Sequence, residues 1–329
     1  MKTLAVLLLL CGITHAQNRV VTVVATPQDY GAKADGVADD TAAFQRAINA
    51  HKHVHIPEGI YRINPAVGLV LRTGTVLTGD GEEASVLFAL EGAGSIIKRA
   101  APASRGDYVL NVICEKFAVV MNHPAATSGE QTAFDFRHVT RSVIRDCYAG
   151  NYPRSNCKPR PASQTDAIRG YGVVLGTMSS GLPLYSGGEH NTVDSVAIWG
   201  AKKCVVVDDL TLSPNSGAHA TVIRDCDLQI AEVGIAQESK WTGGCTFVGN
   251  TIQSIQRARG STATTYAIRI AGSRNLVDGG YIEVATGCDY SLRLEATATK
   301  NQTRIPRLAG SANGISDVGA GNSAKEYGQ

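Results

Sequence analysis

Ile223-Arg224-Asp225-Cys226-Asp227-Leu228 is followed 24 residues later by Phe247-Val248-Gly249-Asn250-Thr251-Ile252, and the two share one pattern. It reads apolar, two variable residues, a small or amide residue, one variable residue, apolar. Outward from this pair the pattern recurs as Cys114-Glu115-Lys116-Phe117-Ala118-Val119, Ile144-Arg145-Asp146-Cys147-Tyr148-Ala149, Val193-Asp194-Ser195-Val196-Ala197-Ile198 and Val277-Asp278-Gly279-Gly280-Tyr281-Ile282. The first positions are 30, 49, 30, 24 and 30 residues apart. Fixed-period self-similarity of this size is the mark of a repeat architecture. The 49-residue step is about two ordinary steps, so one irregular copy is expected between residues 144 and 193.

A second short apolar strand follows each copy: Phe134-Asp135-Phe136, Val173-Val174-Leu175, Val205-Val206-Val207, Ile235-Ala236-Gln237, Ile268-Arg269-Ile270 and Leu292-Arg293-Leu294. Several alternate with period two, as a strand with one buried face does. Two or three short strands per repeat make a solenoid whose coils stack at roughly 4.8 Å. The expected fold is all-β, a right-handed parallel β-helix with a short N-terminal capping helix. Equivalent positions then form ladders. The row Cys147, Val196, Cys226, Asn250 and Gly280 is expected to lie inside, packed at a bend or bonded through the Asn amide.

Asp29-Tyr30-Gly31-Ala32-Lys33-Ala34-Asp35-Gly36-Val37-Ala38-Asp39-Asp40-Thr41 leads into Ala42-Ala43-Phe44-Gln45-Arg46-Ala47-Ile48-Asn49, then Val54-His55-Ile56-Pro57-Glu58-Gly59-Ile60-Tyr61-Arg62-Ile63 and Thr75-Val76-Leu77-Thr78-Gly79-Asp80-Gly81. This resembles the start of the pectate-lyase-like β-helix superfamily, which includes polygalacturonases, rhamnogalacturonases, mannuronan epimerases and phage tailspikes. The resemblance is specific for fold and not for reaction, because these activities share it. A solenoid end exposes strand edges and an apolar bore, so a lid is needed there. Asp40 or Thr41 is expected to cap the lid helix, with Phe44, Ala47 and Ile48 on its inner face. Asp29, Asp35, Asp39 and Asp40 are read as structural rather than as a carboxylate cluster.

The chain opens with Lys2, an apolar run from Leu4 and a Thr14-His15-Ala16 exit, the form of a secretory signal. The expected organisation is a signal peptide over 1–16, cap and first coil over 17–65, parallel β-helix over 66–296 and a polar C-terminal tail over 297–329. No later apolar run reaches membrane length. A net charge of +2 gives no reason to expect a nucleic-acid partner. Seven cysteines follow the signal, an odd number with no zinc spacing. Most are read as small buried apolar residues, with Cys147 and Cys157 the only close pair. No metal site is expected, no cofactor is required, and calcium is left open.

The resemblance also points to where chemistry would sit. Polygalacturonases place catalytic aspartates just before an exposed strand of successive coils. Gln164-Thr165-Asp166-Ala167 resembles the first such motif with both ends changed. Gly200-Ala201-Lys202-Lys203-Cys204-Val205 stands where paired aspartates belong, and Glu232-Val233-Gly234-Ile235 where a histidine belongs. The polygalacturonase mechanism is therefore not expected, and the epimerase Tyr-Gly-x-Asp-Pro-His motif is absent. The candidate catalytic residues are Lys203, Asp166 and Glu232. The candidate substrate-binding residues are Arg169, Tyr171, Lys202, Glu238, Tyr266, Arg269 and Arg293, with Trp199 and Trp241 as further stacking surfaces. Guanidinium and ammonium groups suit a uronate carboxylate. A lyase needs a base, for which Lys203 beside Lys202 is the candidate. A hydrolase needs two carboxylates, for which Asp166 and Glu232 are the pair. His138, His190 and His219 are isolated and read as structural or surface residues rather than catalytic ones. Two functions follow: a secreted enzyme cleaving an acidic glycan, lyase before hydrolase, or a non-catalytic glycan-binding β-helix.

Overall fold

The computed structural model describes residues 24–102, 107–122, 129–154, 157–176, 188–208, 218–283, 287–305, 308–309 and 313–326. The Met1 to Ala16 signal expectation lies outside them. Every pairing between named strands is parallel, and nearly all are in straight register, so each coil sits directly above the last. Parallel crossovers are right-handed because right-twisted strands pack back onto a sheet only that way. The result is a right-handed parallel β-helix with three faces.

Among the described residues, face A is a ten-stranded sheet running from His53–Ile56 to Ser323–Glu326, and a seventeen-stranded sheet bends at a corner into faces B and C. The long strands Ala197–Val207 and Asp227–Gln237 run through that corner and belong to both. Val54, Leu77, Cys114, Ile144, Val193 and Ile223 stack in one inward row of face A, all essentially buried. Phe134, Val173, Val205, Ile235, Ile268 and Leu292 do the same on face C.

The coil between residues 144 and 193 departs from expectation. Ile144 pairs directly with Val193, so this is one coil and not two. Its extra length includes an excursion between Tyr148–Gly150 on face B and Tyr171–Gly176 on face C, which holds the short helix α2, Gln164–Ala167. The expected tail over 297–329 is also corrected. Gln302–Ile305, Ile315–Asp317 and Ser323–Glu326 are further rungs of faces A and C. Composition misled here: the segment is polar because its outer rows are polar, while Thr303 and Ile305 still face the bore, 1% and 0% exposed.

The third position of the repeat is not free to vary. Lys116, Asp146, Ser195, Asp225, Gly249 and Gly279 occupy it, all in the left-handed region with φ from 49° to 66°. One such residue per coil makes the tight turn from face A to face B; glycine and aspartate, which tolerate that backbone best, hold four of the six positions. The inner row after it is as expected. Asn250 Oδ1 accepts from Cys226 N at 3.1 Å, and its Nδ2 donates to Ile223 O at 3.0 Å, joining two coils. A second amide ladder escaped the sequence reading. At the corner entering face A, Asn275 and Asn301 each accept backbone and side-chain N–H groups from the coil before, and Asn322 accepts from Asn301. Among the described residues six cysteines are buried and no disulfide is formed, so Cys147 and Cys157 are not bonded to each other. Burial pushes the Cys147, Cys226 and Cys245 thiols up to about 12, which makes them packing groups rather than nucleophiles.

Helix α1, Thr41–Ala50, closes the N-terminal end with Phe44, Ala47 and Ile48 fully buried. The expected caps are replaced by neighbours. Asp39 Oδ1 accepts from Thr41 N at 3.0 Å, while Asp40 turns to Lys33 N at 2.7 Å and Ala34 N at 3.2 Å. Asp29 forms a capping box with Thr26, and Asp35 accepts from Val37 N and Ala38 N, so all four aspartates organise backbone.

The excursion after Gly150 lies on the outer side of face B. Lys158 Nζ donates to Met121 O at 2.5 Å and Asn151 Oδ1 at 2.6 Å. Burial lowers its pKa to about 8, from an ordinary value of 10.5; Cys157 opposes this and Arg62 adds to it. Between those two values the unfolded chain binds the extra proton at Lys158, so this one group adds stability as pH rises; the buried thiols act the other way, because they keep their protons in the folded chain above the unfolded value of about 8.5. Thermal melts from pH 8 to pH 10.5 should therefore show falling stability, and Lys158→Met should make the fall steeper; parallel slopes for the two chains would place the ammonium in water.

Substitutions at two positions of one repeat test the register. Ile223 is 0% exposed, so Ile223→Asp buries an unpaired charge at a cost of several kcal/mol. Asp225→Ala loses only about 1 kcal/mol, the strain of alanine in the left-handed region. Equal losses in urea unfolding would mean that inside and outside have been exchanged.

Candidate functional site

Face C carries its chemistry in two outward rows, because the chain turns a corner between them and both flank the buried strand centre. The first row is Thr132, Tyr171, Lys203, Val233, Tyr266 and Tyr290. The second contains Lys98, Asp135, Val174, Val206, Ala236, Arg269 and Arg293. Just beyond the strand ends stand Glu238 and Glu295.

These residues join into one charged chain across successive coils. Lys203 Nζ lies 2.7 Å from Glu238 Oε1, and Arg269 Nη1 lies 3.5 Å from the same oxygen. Arg269 Nε then reaches Glu295 Oε1 at 2.8 Å, and Arg293 Nε lies 3.6 Å from Glu295 Oε2. Burial works against the charge of Arg269, but Glu295 and Glu238 outweigh it and hold this guanidinium more firmly protonated than usual. The rings of Tyr266 and Tyr290 stack with centroids 5.6 Å apart and planes 12° apart. Arg269 lies over Tyr266 at 5.4 Å and Arg293 over Tyr290 at 5.3 Å. Beside this chain is a recess of about 410 Å³ lined by Glu238, Lys240, Arg269, Glu295 and Thr297, among others.

The sequence-derived candidates therefore divide. Lys203, Glu238, Tyr266, Arg269 and Arg293 come together, with Tyr171 one rung from Lys203. Glu295, Tyr290 and Lys240 belong with them and were missed. Tyr290 had a signal, since it repeats Tyr266 at the same place in the next coil.

Lys202 points elsewhere, to Glu130, which also accepts from Gly170 N at 2.8 Å. Thus the adjacent lysines are drawn to different carboxylates. Asp166 is at the start of α2, where Ser163 caps the helix and Arg259 Nε binds Asp166 Oδ1 at 2.8 Å. Arg169 Nε donates back to Asp166 O at 3.2 Å. Glu232, 7% exposed, accepts from Ala258 N at 3.1 Å. Asp166 and Glu232 thus each hold the segment at Ala258 and Arg259, and that segment also donates from Arg259 N to Thr165 O at 3.2 Å. This arrangement ties loops together, and neither carboxylate lines the recess. Trp199 is on face B, under the Arg154 guanidinium at 4.2 Å, with its Nε1 donating to Asp227 at 3.1 Å. Trp241 is half exposed, with Lys240 Nζ 5.0 Å from its ring centre. Among the described residues no group of three or more His, Cys, Asp or Glu side chains is placed to hold a metal ion.

Comparison with known proteins agrees with this architecture. Residues 24–124 match a family model described as rhamnogalacturonase A/epimerase, pectate lyase-like. A preneck appendage protein of Bacillus phage PZA is 40% identical over 65 residues, 20% of this chain and 7% of that protein. The enzymatically active domain of tailspike protein 2 from bacteriophage CBA120 superposes with a TM-score of 0.62 at 13% identity, over 94% of this chain and 43% of that one. PfbA, a surface adhesin of Streptococcus pneumoniae, gives 0.53 at 12% identity, over 91% and 93%. The chain thus spans a small fraction of its curated phage relative and less than half of the tailspike. At these identities the structural likeness speaks for fold alone, and it agrees with the ladders: the chain is a right-handed parallel β-helix whose residues 24–124 are similar to a pectate-lyase-like family.

Proposed function

We propose that this β-helix acts outside the cytoplasm and binds a polysaccharide bearing carboxylate groups, along face C. The observation that carries the reading is the charged chain at the recess. Lys240 and Arg269 line the recess with Glu238 and Glu295, and Lys203 and Arg293 in the adjoining ion pairs bring the cations of the charged chain to four against two carboxylates. Arginine forks suit carboxylates, and the stacked tyrosine pair offers a surface for sugar rings. That phage tailspikes and a surface adhesin share the fold is consistent with such a partner.

Cleavage by elimination is the second reading, favoured by the place of Lys203 within the same charged chain. A base would take the proton beside the sugar carboxylate, a double bond would form as the bond to the leaving oxygen breaks, and that oxygen would take up a proton from solvent water. Hydrolysis by Asp166 and Glu232 has less support, since both carboxylates secure loops away from the recess.

Binding is tested by titrating the chain with a polyuronate and with a neutral glycan. Arg269→Ala should weaken polyuronate binding by about tenfold or more, the loss of a charge-assisted hydrogen bond. Equal affinity for the neutral glycan, or an unaltered Arg269→Ala variant, would remove the acidic ligand. For turnover, Lys203→Ala should abolish formation of an unsaturated, ultraviolet-absorbing product, typically a loss of ~10²–10⁴-fold, while the melt is kept. Full activity in that variant would take Lys203 out of the chemistry, and new reducing ends without the unsaturated product would replace elimination with hydrolysis.

A further inference from the structure

The outer side of face A has no role in the glycan site, and its two outward rows differ in character. One row is apolar or β-branched: Val76, Ile113, Val143, Thr192, Val222 and Thr246, in direct register and only partly buried. The other alternates in sign: Glu115, Arg145, Asp194 and Arg224, then Val248 and Asp278. Within the chain the charges pair along the ladder, Arg145 with Glu115 and Arg224 with Asp194 at 2.6 Å. The side chains of Arg145 and Arg224 nonetheless remain half exposed, at 50% and 49%. A partly open apolar stripe on a flat sheet marks an interaction surface.

We propose that face A is a self-association surface, on which a second copy of this chain docks with its coils running in the opposite order. The order of charges selects both partner and direction. Consider a two-fold axis parallel to the strands, midway between Val143–Arg145 and Thr192–Asp194. It reverses the order of coils and keeps the position along each strand, so each row meets itself reversed. Glu115 then stands opposite Arg224 of the second copy, and Arg145 opposite its Asp194. His55 stands opposite Asp278, and Thr78 opposite Val248. No like charges meet over these eight strands.

The apolar row matches in the same operation. Ile113 faces Val222 of the second copy, Val143 faces Thr192, and Val76 faces Thr246. Docking with the coils in the same order would instead reverse the strand direction, laying the charged row against the apolar row with its charges unmatched across the interface. Sheets packed face to face lie about 10 Å apart, and eight strands at ~4.8 Å extend the contact over roughly 34 Å. A strip of that length is at the small end of stable interfaces, so the dimer forms in a concentration-dependent way.

Sedimentation equilibrium of the purified chain over a range of concentrations reads this directly. The expected result is a reversible monomer–dimer equilibrium. Arg224→Glu, which places like charges opposite each other twice, should weaken it by more than about tenfold with the melting temperature kept. A second measurement fixes the geometry. Ile113→Cys together with Val222→Cys should be bridged between chains by a short bismaleimide, above the background of the native cysteines, whereas neither single variant should be. Within one chain these positions are three rungs, about 14 Å, apart, so the bridge must join two copies. A monomer at every concentration, a trimer, association indifferent to Arg224→Glu, or equal bridging of the single variants would each overturn the proposal.

Discussion

Parallel strands stacked in register, about 4.8 Å apart, are the constraint from which the rest of this molecule follows. In such a stack the nearest neighbours of a side chain lie one coil earlier and one coil later, 20 to 50 residues away in sequence. Inside, the constraint is met by apolar rows, and at two corners by asparagines whose amides bond from coil to coil. Unbonded amides there would be costly, since a buried polar group without a partner loses its hydration for nothing in return. The same stacking forces a tight turn per coil, and one residue in the left-handed region supplies it each time.

Outside, the constraint turns three faces into three different surfaces. Face A shows alternating charge beside a β-branched stripe. Face B is covered by the excursion that Lys158 and Arg154 secure. Face C gathers cations, carboxylates and stacked tyrosines at one recess. Fold alone implies none of these chemistries, because the outward rows can change without touching the bore.

Much of the fold was legible in the residues because inward rows must be apolar and turn positions must tolerate an unusual backbone. Two misreadings have one cause. The 49-residue step looked like two coils, and residues 297–329 like a tail, because spacing and polarity were read where only pairing decides. Ile144 meets Val193 directly, and the last rungs bury few side chains while still extending the ladders. The lid helix was read correctly from Phe44, Ala47 and Ile48, but its cap was not, since Asp40 is recruited by a loop seven residues upstream.

The site was half legible for the same reason. Lys203, Tyr266, Arg269 and Arg293 stand out because they interrupt apolar strands at outward positions. Glu238 and Glu295 lie just past strand ends, where a carboxylate looks like ordinary surface; Glu238 was flagged for its charge and Glu295 was not. Lys202, Asp166 and Glu232 were flagged by motif position, and their partners, Glu130, Arg259 and Ala258, come from segments that no spacing rule connects to them. Ligand recognition on face C is open to test by a crystal structure of the chain with an oligouronate bound. Sugar density is expected over Tyr266 and Tyr290, with a sugar carboxylate within hydrogen-bond reach of Arg269 or Arg293. An oligouronate seated on face A or face B, with the face C recess empty, would contradict it.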